Sequence, residues 1–184
     1  MSVRVALIVG SLRQGAYSRA IGLELKALAA PGLELELVEI GDLPLYNPDL
    51  ETDAPPPAWT RFREEVATTQ AVLFVTPEYN RSIPGALKNA LDVGSRPYGH
   101  SIWAKKPAAI VSVSPGALAA FGANHHLRQP LVFLGMPTMQ QPEAYIGNVA
   151  DLVDDDGKLK NDDTRKFLKD FMNAFAAWIE KNAA

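Results

Sequence analysis

The strongest constraint on the fold comes from short apolar runs that have no polar face. Val3–Val9 is apolar apart from Arg4, and Gln70–Thr76 and Pro107–Ser114 are similar runs. Strands that are apolar on both faces are typical of the centre of a parallel sheet that helices cover on both sides. These three runs therefore predict the buried middle of such a sheet.

Two weaker segments are predicted to complete the sheet at its edges. In Leu33–Val38 leucines alternate with glutamates, which favours a strand with one face partly in water. Met136–Met139 contains a proline, which a strand tolerates only near an edge because proline has no N–H to donate. The chain is therefore expected to form five strands.

Helical patterns fill the stretches between these strands. The predicted helices cover residues 18–30, 57–69, 84–93, 120–134 and 164–181. The last pattern is the clearest, whereas Pro130 is expected to kink or divide the fourth helix. Residues 44–57 and 151–163 are expected to be surface loops. The alternation predicts one doubly wound α/β domain over residues 1–184, with helices on both faces of the sheet.

The predicted topology also locates a ligand. Ligands of open parallel sheets bind beyond the carboxyl ends of the strands, where the strand order reverses. A partly wet second strand belongs at an edge, so the expected order is 2-1-3-4-5 and the reversal falls between strands one and three. The loops after these two strands, Gly10–Ser18 and Thr76–Pro84, are rich in glycine, serine, proline and polar side chains.

The first of these loops has glycines at the spacing of an ATP- or GTP-binding loop but lacks the rest of that motif. Ala16 and Tyr17 follow Gly15 where the motif needs Lys and then Ser or Thr to hold a magnesium-bound triphosphate. The GxGxxG pattern of dinucleotide-binding loops is also absent. Neither of these ligands is therefore expected.

The polar residues of this loop suit a smaller anion. Ser11, Arg13 and Ser18 stand beside the start of the first helix, where free N–H groups and the helix dipole attract anions. Hydroxyl groups add hydrogen bonds and an arginine adds a charge-assisted contact, so the loop predicts a site for a terminal phosphate monoester. The alternative is a plain strand-to-helix turn with an exposed arginine.

The second loop suits a flat heterocyclic ring. Such a ring would take hydrogen bonds from backbone N–H groups and stack beside Pro77 or Tyr79. The alternative is a polar turn in which Ser82 is the N-cap of the following helix, and the two interpretations are compatible.

Composition excludes several classes of protein and site. The chain has no cysteine, so disulfides, thiolate metal sites, iron–sulfur clusters and cysteine nucleophiles are excluded. A net charge of −3 without a cluster of Lys and Arg argues against a nucleic-acid surface. No apolar stretch reaches the roughly 18–20 residues of a membrane span and no signal-peptide pattern is present, so we expect a cytoplasmic protein without a membrane partner.

No metal site is expected either. His125 and His126 are adjacent, so on a helix they point about 100° apart and do not form one metal-binding face. The acidic stretch around Gly157 resembles a calcium loop only superficially, because Leu152 and Lys160 would occupy two of its ligand positions.

Two longer motifs resemble those of a known family. "GSLRQGAYSRA" in the first loop and "PEYNRSIPGALKNALD" after the third strand are similar to the NADPH-dependent FMN reductases. That family has a flavodoxin-like fold and includes chromate and quinone reductases. "LPLYNPDLE" and "HHLRQPLVFLGM" look like further segments of the same family, so the resemblance covers nearly the whole chain in order.

This resemblance implies a set of FMN-binding residues. Ser11, Arg13 and Ser18 would bind the phosphate, Pro77, Glu78, Tyr79, Asn80 and Ser82 would line the isoalloxazine ring, and Ser114 and Gly116 would close its other side. Ala16 stands where the family commonly has Ser, and Ser18 where it commonly has Asn. One phosphate contact is therefore expected to be absent and another to be shortened.

The resemblance also implies an activity. NADPH or NADH would reduce bound FMN, and the electrons would pass to a quinone, free flavin, an azo compound or an oxidised metal ion such as chromate. Donor and acceptor would share one flavin face, which predicts ping-pong kinetics. No side chain is needed as a general acid or base, so no catalytic residue is predicted. The alternative is a flavodoxin-type electron carrier without direct NAD(P)H turnover.

The family is often dimeric or tetrameric, so a homodimer or homotetramer is expected. Leu43–Glu51 is then expected at the edge of a neighbouring subunit's site. Arg128 and Glu143 are candidates for an ion pair between subunits, and the alternative is that they are solvated surface charges.

Overall fold

The computed structural model describes residues 2–182, and its centre is a parallel sheet of five strands. The strands are β1 (Val3–Val9), β2 (Leu33–Leu37), β3 (Ala71–Thr76), β4 (Ala108–Val113) and β5 (Ala144–Ile146). They lie in the order β2-β1-β3-β4-β5, and each neighbouring pair is parallel. The predicted flavodoxin-like order 2-1-3-4-5 is therefore confirmed, with its reversal between β1 and β3.

Helices connect the strands, and two more follow the last strand. They are α1 (Tyr17–Ala27), α2 (Pro57–Ala67), α3 (Gly85–Gly94), α4 (Phe121–Phe133), α5 (Val149–Leu152) and α6 (Asp162–Asn182), with a 3₁₀ turn at Pro48–Leu50. Within residues 2–182, no helix is both long enough and apolar enough to cross a membrane.

The two faces of the sheet carry separate halves of the hydrophobic core. On β1, Val5, Leu7 and Val9 pack on one face with apolar residues of α1 and α6. Ala6 and Ile8 pack on the other face with residues of α2, α3 and α4. Because successive strand side chains point to opposite faces, a strand covered on both sides has to be apolar throughout. The predicted helices on both faces are confirmed.

The last strand does not lie where the sequence pattern predicted it. Met136–Met139 forms only an isolated bridge, between Thr138 and Ala108 at the start of β4. The chain then returns to the sheet at β5, which pairs with Val111–Val113. The prediction was therefore wrong about the strand itself, because the apolar pattern marks a segment beside the sheet edge and β5 has only three residues.

Two further predictions change in detail. Pro130 lies inside α4 without dividing it, because it falls in the last turn, where few backbone hydrogen bonds remain to be lost. The stretch 151–163 is not entirely an open loop, since it holds the end of α5 and an antiparallel bridge between Val153 and Leu159.

Candidate functional site

Three loops meet at the carboxyl edge of the sheet, where the strand order reverses. They are the β1–α1 loop (10–16), the β3–α3 loop (77–84) and the β4–α4 loop (114–120). Between them lies a cleft of about 230 Å³. Its lining comprises the predicted residues Ser11, Arg13, Ser18, Pro77, Glu78, Tyr79 and Ser114, together with Ala16, Tyr17, Val113 and Pro115. The predicted residues Asn80, Ser82 and Gly116 lie outside this lining.

The β1–α1 loop presents the start of α1 to the cleft. Gly15 has a φ of 65°, a left-handed conformation that glycine adopts without strain, just before the chain enters the helix. Ala16 at the N-cap offers no side-chain acceptor to the helix, and the first turn holds no acidic residue. The N–H groups of Ala16 and Arg19 donate to backbone carbonyls, so those of Tyr17 and Ser18, the first two residues of α1, are the ones placed to bind an anion.

Ser18 gives independent support for an anion at this position. It is 2% exposed, and its hydroxyl has no hydrogen-bond partner among the residues that the structure describes. Burying a hydroxyl without a partner costs roughly 1–3 kcal/mol. A ligand that accepts a hydrogen bond from Ser18 would remove this cost.

Ser11 and Arg13 complete the polar end of the cleft. The Ser11 hydroxyl accepts a hydrogen bond from the Arg13 N–H at 3.3 Å and lies 3.4 Å from the Tyr79 hydroxyl, which links two of the loops. The Arg13 guanidinium lies 5.8 Å from the centroid of the Tyr17 ring. This cation–π contact holds a positive charge beside the start of α1.

The β3–α3 loop contains a tight turn. Tyr79 and Ser82 exchange backbone hydrogen bonds of 2.9 and 3.0 Å, and Asn80 and Arg81 between them have φ values of 50° and 65°. Positive φ at both central residues is the geometry of a type I′ turn. The N–H groups of Tyr79 and Ser82 are used inside this turn, so neither is available to a ligand ring.

The prediction of Ser82 as an N-cap is wrong. An N-cap side chain bonds the N–H groups two or three residues further on, and α3 begins only at Gly85, after Pro84. The Ser82 hydroxyl pairs instead with Nδ1 of His126 on α4 at 2.7 Å. Ser82 therefore connects the β3–α3 loop to a helix on the far side of the cleft.

The β4–α4 loop is held in an uncommon backbone conformation. Ala119 and Ala120 have φ values of 52° and 57°, which cost a non-glycine residue about 1 kcal/mol or more each. The buried Ser112 hydroxyl donates to the Ala119 carbonyl at 2.8 Å, and the Asn124 amide donates to that hydroxyl at 3.3 Å. A buried polar network therefore keeps this wall of the cleft in place.

Two of the predicted residues have structural partners around the cleft. The Gly116 N–H donates to the Ser114 hydroxyl at 3.0 Å, so Gly116 braces a residue of the lining. The Glu78 carboxylate accepts a hydrogen bond from the Ala123 N–H in the first turn of α4 at 2.9 Å. The carboxylate of Glu78 is thus engaged with a helix.

A second polar cluster lies on α4 and β5. The Tyr145 hydroxyl lies 2.9 Å from His125 Nε2, and burial together with Glu143 raises the pKa of Tyr145 to about 12. Arg128 and Glu143, predicted as a pair between subunits, lie 3.9 Å apart within one chain, because α4 and β5 bring them together. His125 and His126 have different partners, as their expected divergence on a helix implied.

The cleft suits a phosphate monoester joined to a flat ring. One end offers a hydroxyl without a partner, a guanidinium and a helix start, and the other end is walled by Pro77, Tyr79 and the β4–α4 loop. This arrangement at the reversal point of a flavodoxin-like sheet defines a flavin mononucleotide-binding class of protein.

Known proteins are similar to this chain in sequence and in fold. Residues 3–151 match the NADPH-dependent FMN reductase family. A quinone reductase from Pseudomonas putida is 63% identical over 180 residues, which are 98% of this chain and 96% of the relative. A 2-hydroxy-1,4-benzoquinone reductase from Burkholderia sp is 42% identical over 179 residues, 97% of each chain. The solved structure of FerB, a flavoenzyme NAD(P)H:(acceptor) oxidoreductase from Paracoccus denitrificans, has a TM-score of 0.92 and 43% identity, covering 99% of this chain and 100% of its own.

The chain therefore belongs to the NADPH-dependent FMN reductase family. It is an oxidoreductase, and the resemblance that its two loop motifs carry is confirmed.

Proposed function

We propose that this chain binds FMN in the cleft and passes electrons from NAD(P)H to quinones. The observation that carries the proposal is the buried Ser18 hydroxyl, which lines the cleft without a partner in the described part of the chain. A hydroxyl, a guanidinium and helix N–H groups converge at this end. Such a combination is suited to a phosphate group, whose oxygens accept all three kinds of hydrogen bond.

Ser11, Arg13 and Ser18 are the proposed phosphate ligands. Ala16 has no hydroxyl to offer, so the N–H groups of α1 would supply the remaining hydrogen bonds. Ser18 is one bond shorter than an asparagine, but its burial in the first turn of the helix holds the hydroxyl in place. The phosphate site would thus combine three side chains with backbone N–H groups at the start of α1.

The isoalloxazine ring is proposed to lie between the β3–α3 and β4–α4 loops. The proposed ring-lining residues are Pro77, Glu78, Tyr79 and Ser114, and Asn80, Ser82 and Gly116 are proposed to support the ring site from outside the cleft lining. Tyr79 is 50% exposed at the cleft, so this wall does not close over the site. One face of a ring beside it would therefore stay open to a second molecule.

When bound, FMN would supply the hydride and electron transfer between NADPH or NADH and an acceptor. The protein's part is to bind the phosphate, orient the ring and leave one face accessible. No side chain of the cleft is assigned a proton transfer. Donor and acceptor would enter at the same accessible face in turn, which gives ping-pong kinetics.

Quinones are the proposed acceptors because two relatives carry that activity in their names, at 63% and 42% identity. An accessible ring face discriminates weakly between flat acceptors by shape. Free flavin and azo compounds are therefore proposed as further acceptors of the same site, and chromate as an oxidised metal ion that could reach the same open face.

An anaerobic spectrum of the purified protein tests the proposal. The flavin absorbance should bleach when NADPH is added and recover when a benzoquinone follows. A flavin that binds but is reduced by neither NADPH nor NADH would instead support a flavodoxin-type electron carrier, and no binding of FMN would overturn both functions. Steady-state rates at varied NADPH and quinone should give parallel reciprocal plots, and intersecting plots would exclude the shared face.

We also propose that the chain assembles as a homodimer or homotetramer. Phe133 is 90% exposed and Leu45 is 77% exposed, and exposed apolar groups of this size often mark interfaces. The loop 43–51 is anchored to its own chain by a hydrogen bond of 3.0 Å from Trp59 Nε1 to the Pro44 carbonyl, so it presents Leu45 on a fixed edge. Light scattering should give twice or four times the chain mass, and a monomer would contradict this assembly.

A further inference from the structure

Glu78 joins two of the loops that form the cleft. It belongs to the β3–α3 loop, and its Oε2 atom accepts a hydrogen bond from the Ala123 N–H, in the first turn of α4, at 2.9 Å. Its side chain is 12% exposed. Ala120, the N-cap of α4, offers no side-chain acceptor of its own. A carboxylate from another loop therefore caps this helix and meets the positive end of its dipole.

Gly122, which precedes Ala123, leaves room for the Glu78 carboxylate because glycine has no Cβ atom. A Cβ atom at Gly122 would lie 2.8 Å from Glu78 Oε2 and 3.2 Å from the Arg81 carbonyl oxygen. The Arg81 guanidinium pairs with the other carboxylate oxygen of Glu78 at 3.2 Å. We call the contact of Glu78 with Gly122 and Ala123 the Glu78 clamp.

We propose that Glu78 is a positioning residue, and that the Glu78 clamp sets the spacing between the β3–α3 and β4–α4 loops around the flavin ring. This inference rests on the proposed binding of FMN. The β4–α4 loop ends in the left-handed residues Ala119 and Ala120, a conformation that persists only where the surroundings hold it. The Glu78 clamp fixes the helix start that directly follows them. It therefore acts on the shape of the ring site without touching the reacting atoms.

Variants that change either the length or the charge of the Glu78 side chain distinguish a positioning role from a direct contact with the flavin or a substrate. E78Q keeps the length, and its amide oxygen can accept from the Ala123 N–H, whereas E78D keeps the charge and is one methylene too short. E78D should raise the Kd of the apoprotein for FMN roughly tenfold or more, and E78Q should raise it only a few-fold. E78D should also raise the KM for NADPH more than it lowers kcat. The reverse order, with E78Q the weaker binder, would overturn the proposal.

Gly122→Ala tests the Glu78 clamp from the side of the helix. Alanine favours a helix more than glycine does, so without the clamp this change should raise the Tm of the apoprotein. The clamp predicts a lower Tm and weaker FMN binding, because the added Cβ displaces the carboxylate. In an E78A background the same change should lower the Tm less, because the blocking oxygen is gone. Additive effects on Tm would overturn the proposal.

Thr69→Val is the matched control for general destabilisation. Thr69 is buried two residues after the end of α2, outside the cleft lining, and its hydroxyl donates to the Val66 carbonyl at 2.8 Å. T69V should lower the apoprotein Tm but leave the Kd for FMN within about twofold. A loss of FMN affinity equal to that of E78D would overturn the proposal. Failure of the wild type to bind FMN would refute the proposed function and with it the role at the ring, whereas additive Tm effects of Gly122 and Glu78, measured without FMN, would refute the Glu78 clamp alone.

Discussion

At the scale of a single residue, the Ser18 hydroxyl should have opposite effects on folding and on ligand binding. Ser18→Ala removes a buried hydroxyl without a partner in the described chain, so the apoprotein should keep its stability or gain up to about 1 kcal/mol. The same change would remove the proposed hydrogen bond from Ser18 to the FMN phosphate, so FMN affinity should fall roughly tenfold to a hundredfold. Urea unfolding of the apoprotein and an FMN titration measure the two effects.

Riboflavin is the control for this substitution because it carries the ring without the phosphate. Ser18→Ala should leave riboflavin affinity unchanged. An equal loss for riboflavin and FMN would mean that Ser18 acts on the ring site or on the whole fold.

Tyr145 gives a pH dependence with a definite sign. Burial, with Glu143 adding to it, raises the pKa of Tyr145 from 10.0 to about 12. The folded protein therefore holds the phenol proton more tightly than the unfolded chain does. This contribution to the free energy of unfolding is complete below about pH 10 and is lost as the pH rises toward about 12.

Tyr145→Phe isolates this contribution, because phenylalanine does not titrate. The stability difference between wild type and variant should shrink between about pH 9.5 and pH 11.5, by about 1 kcal/mol or less because water screens the partly exposed phenol. Urea unfolding of both proteins at the two pH values gives the difference. A constant difference would show that the folded environment does not retain the Tyr145 proton.

At the scale of an element, α6 covers one face of the sheet with its apolar stripe. Phe175 in this stripe is 0% exposed, whereas Phe167 on the same helix is 36% exposed. Phe175→Ala should lower the free energy of unfolding by about 3–5 kcal/mol, and Phe167→Ala by roughly 1 kcal/mol or less. Urea unfolding measures both variants. Similar losses in the free energy of unfolding for the two variants would mean that α6 does not pack on the sheet through the face that contains Phe175.

The elements that the sequence predicted well are those with a strong physical pattern. β1, β3 and β4 are apolar because helices bury both of their faces, and α6 has a long amphipathic stripe. β5 has three residues at a sheet edge, too few for a period to show. Met136 and Met139 are buried because they pack in the core on either side of the sheet, although their segment does not form a strand. Hydrophobicity alone therefore pointed to the wrong segment.

At the scale of the whole molecule, the place of the site could be predicted and many of its contacts could not. Strand order determines which loops meet, so the cleft lies where the topology placed it. The bonds from Ser82 to His126 and from Glu78 to Ala123 join loops far apart in the sequence, and no local pattern records them. Gly122 is a local sign of the contact with Glu78, because a glycine is unusual inside a helical segment. The roles of the ten site residues in FMN binding and the single-domain organisation stay predictions.

The three loops of the cleft come together only in the folded chain, so FMN should bind the native state and not the unfolded one. At a concentration of roughly 100 times its Kd, such a ligand raises the free energy of unfolding by about 2.7 kcal/mol. For a chain of 184 residues this corresponds to a rise in Tm of about 5–11 °C. Thermal melting at increasing FMN measures the shift, and Arg13→Ala should reduce it because the proposed contact with the phosphate would be lost. Riboflavin at the same concentration should give a smaller shift, and equal shifts would mean that the β1–α1 loop does not hold the phosphate.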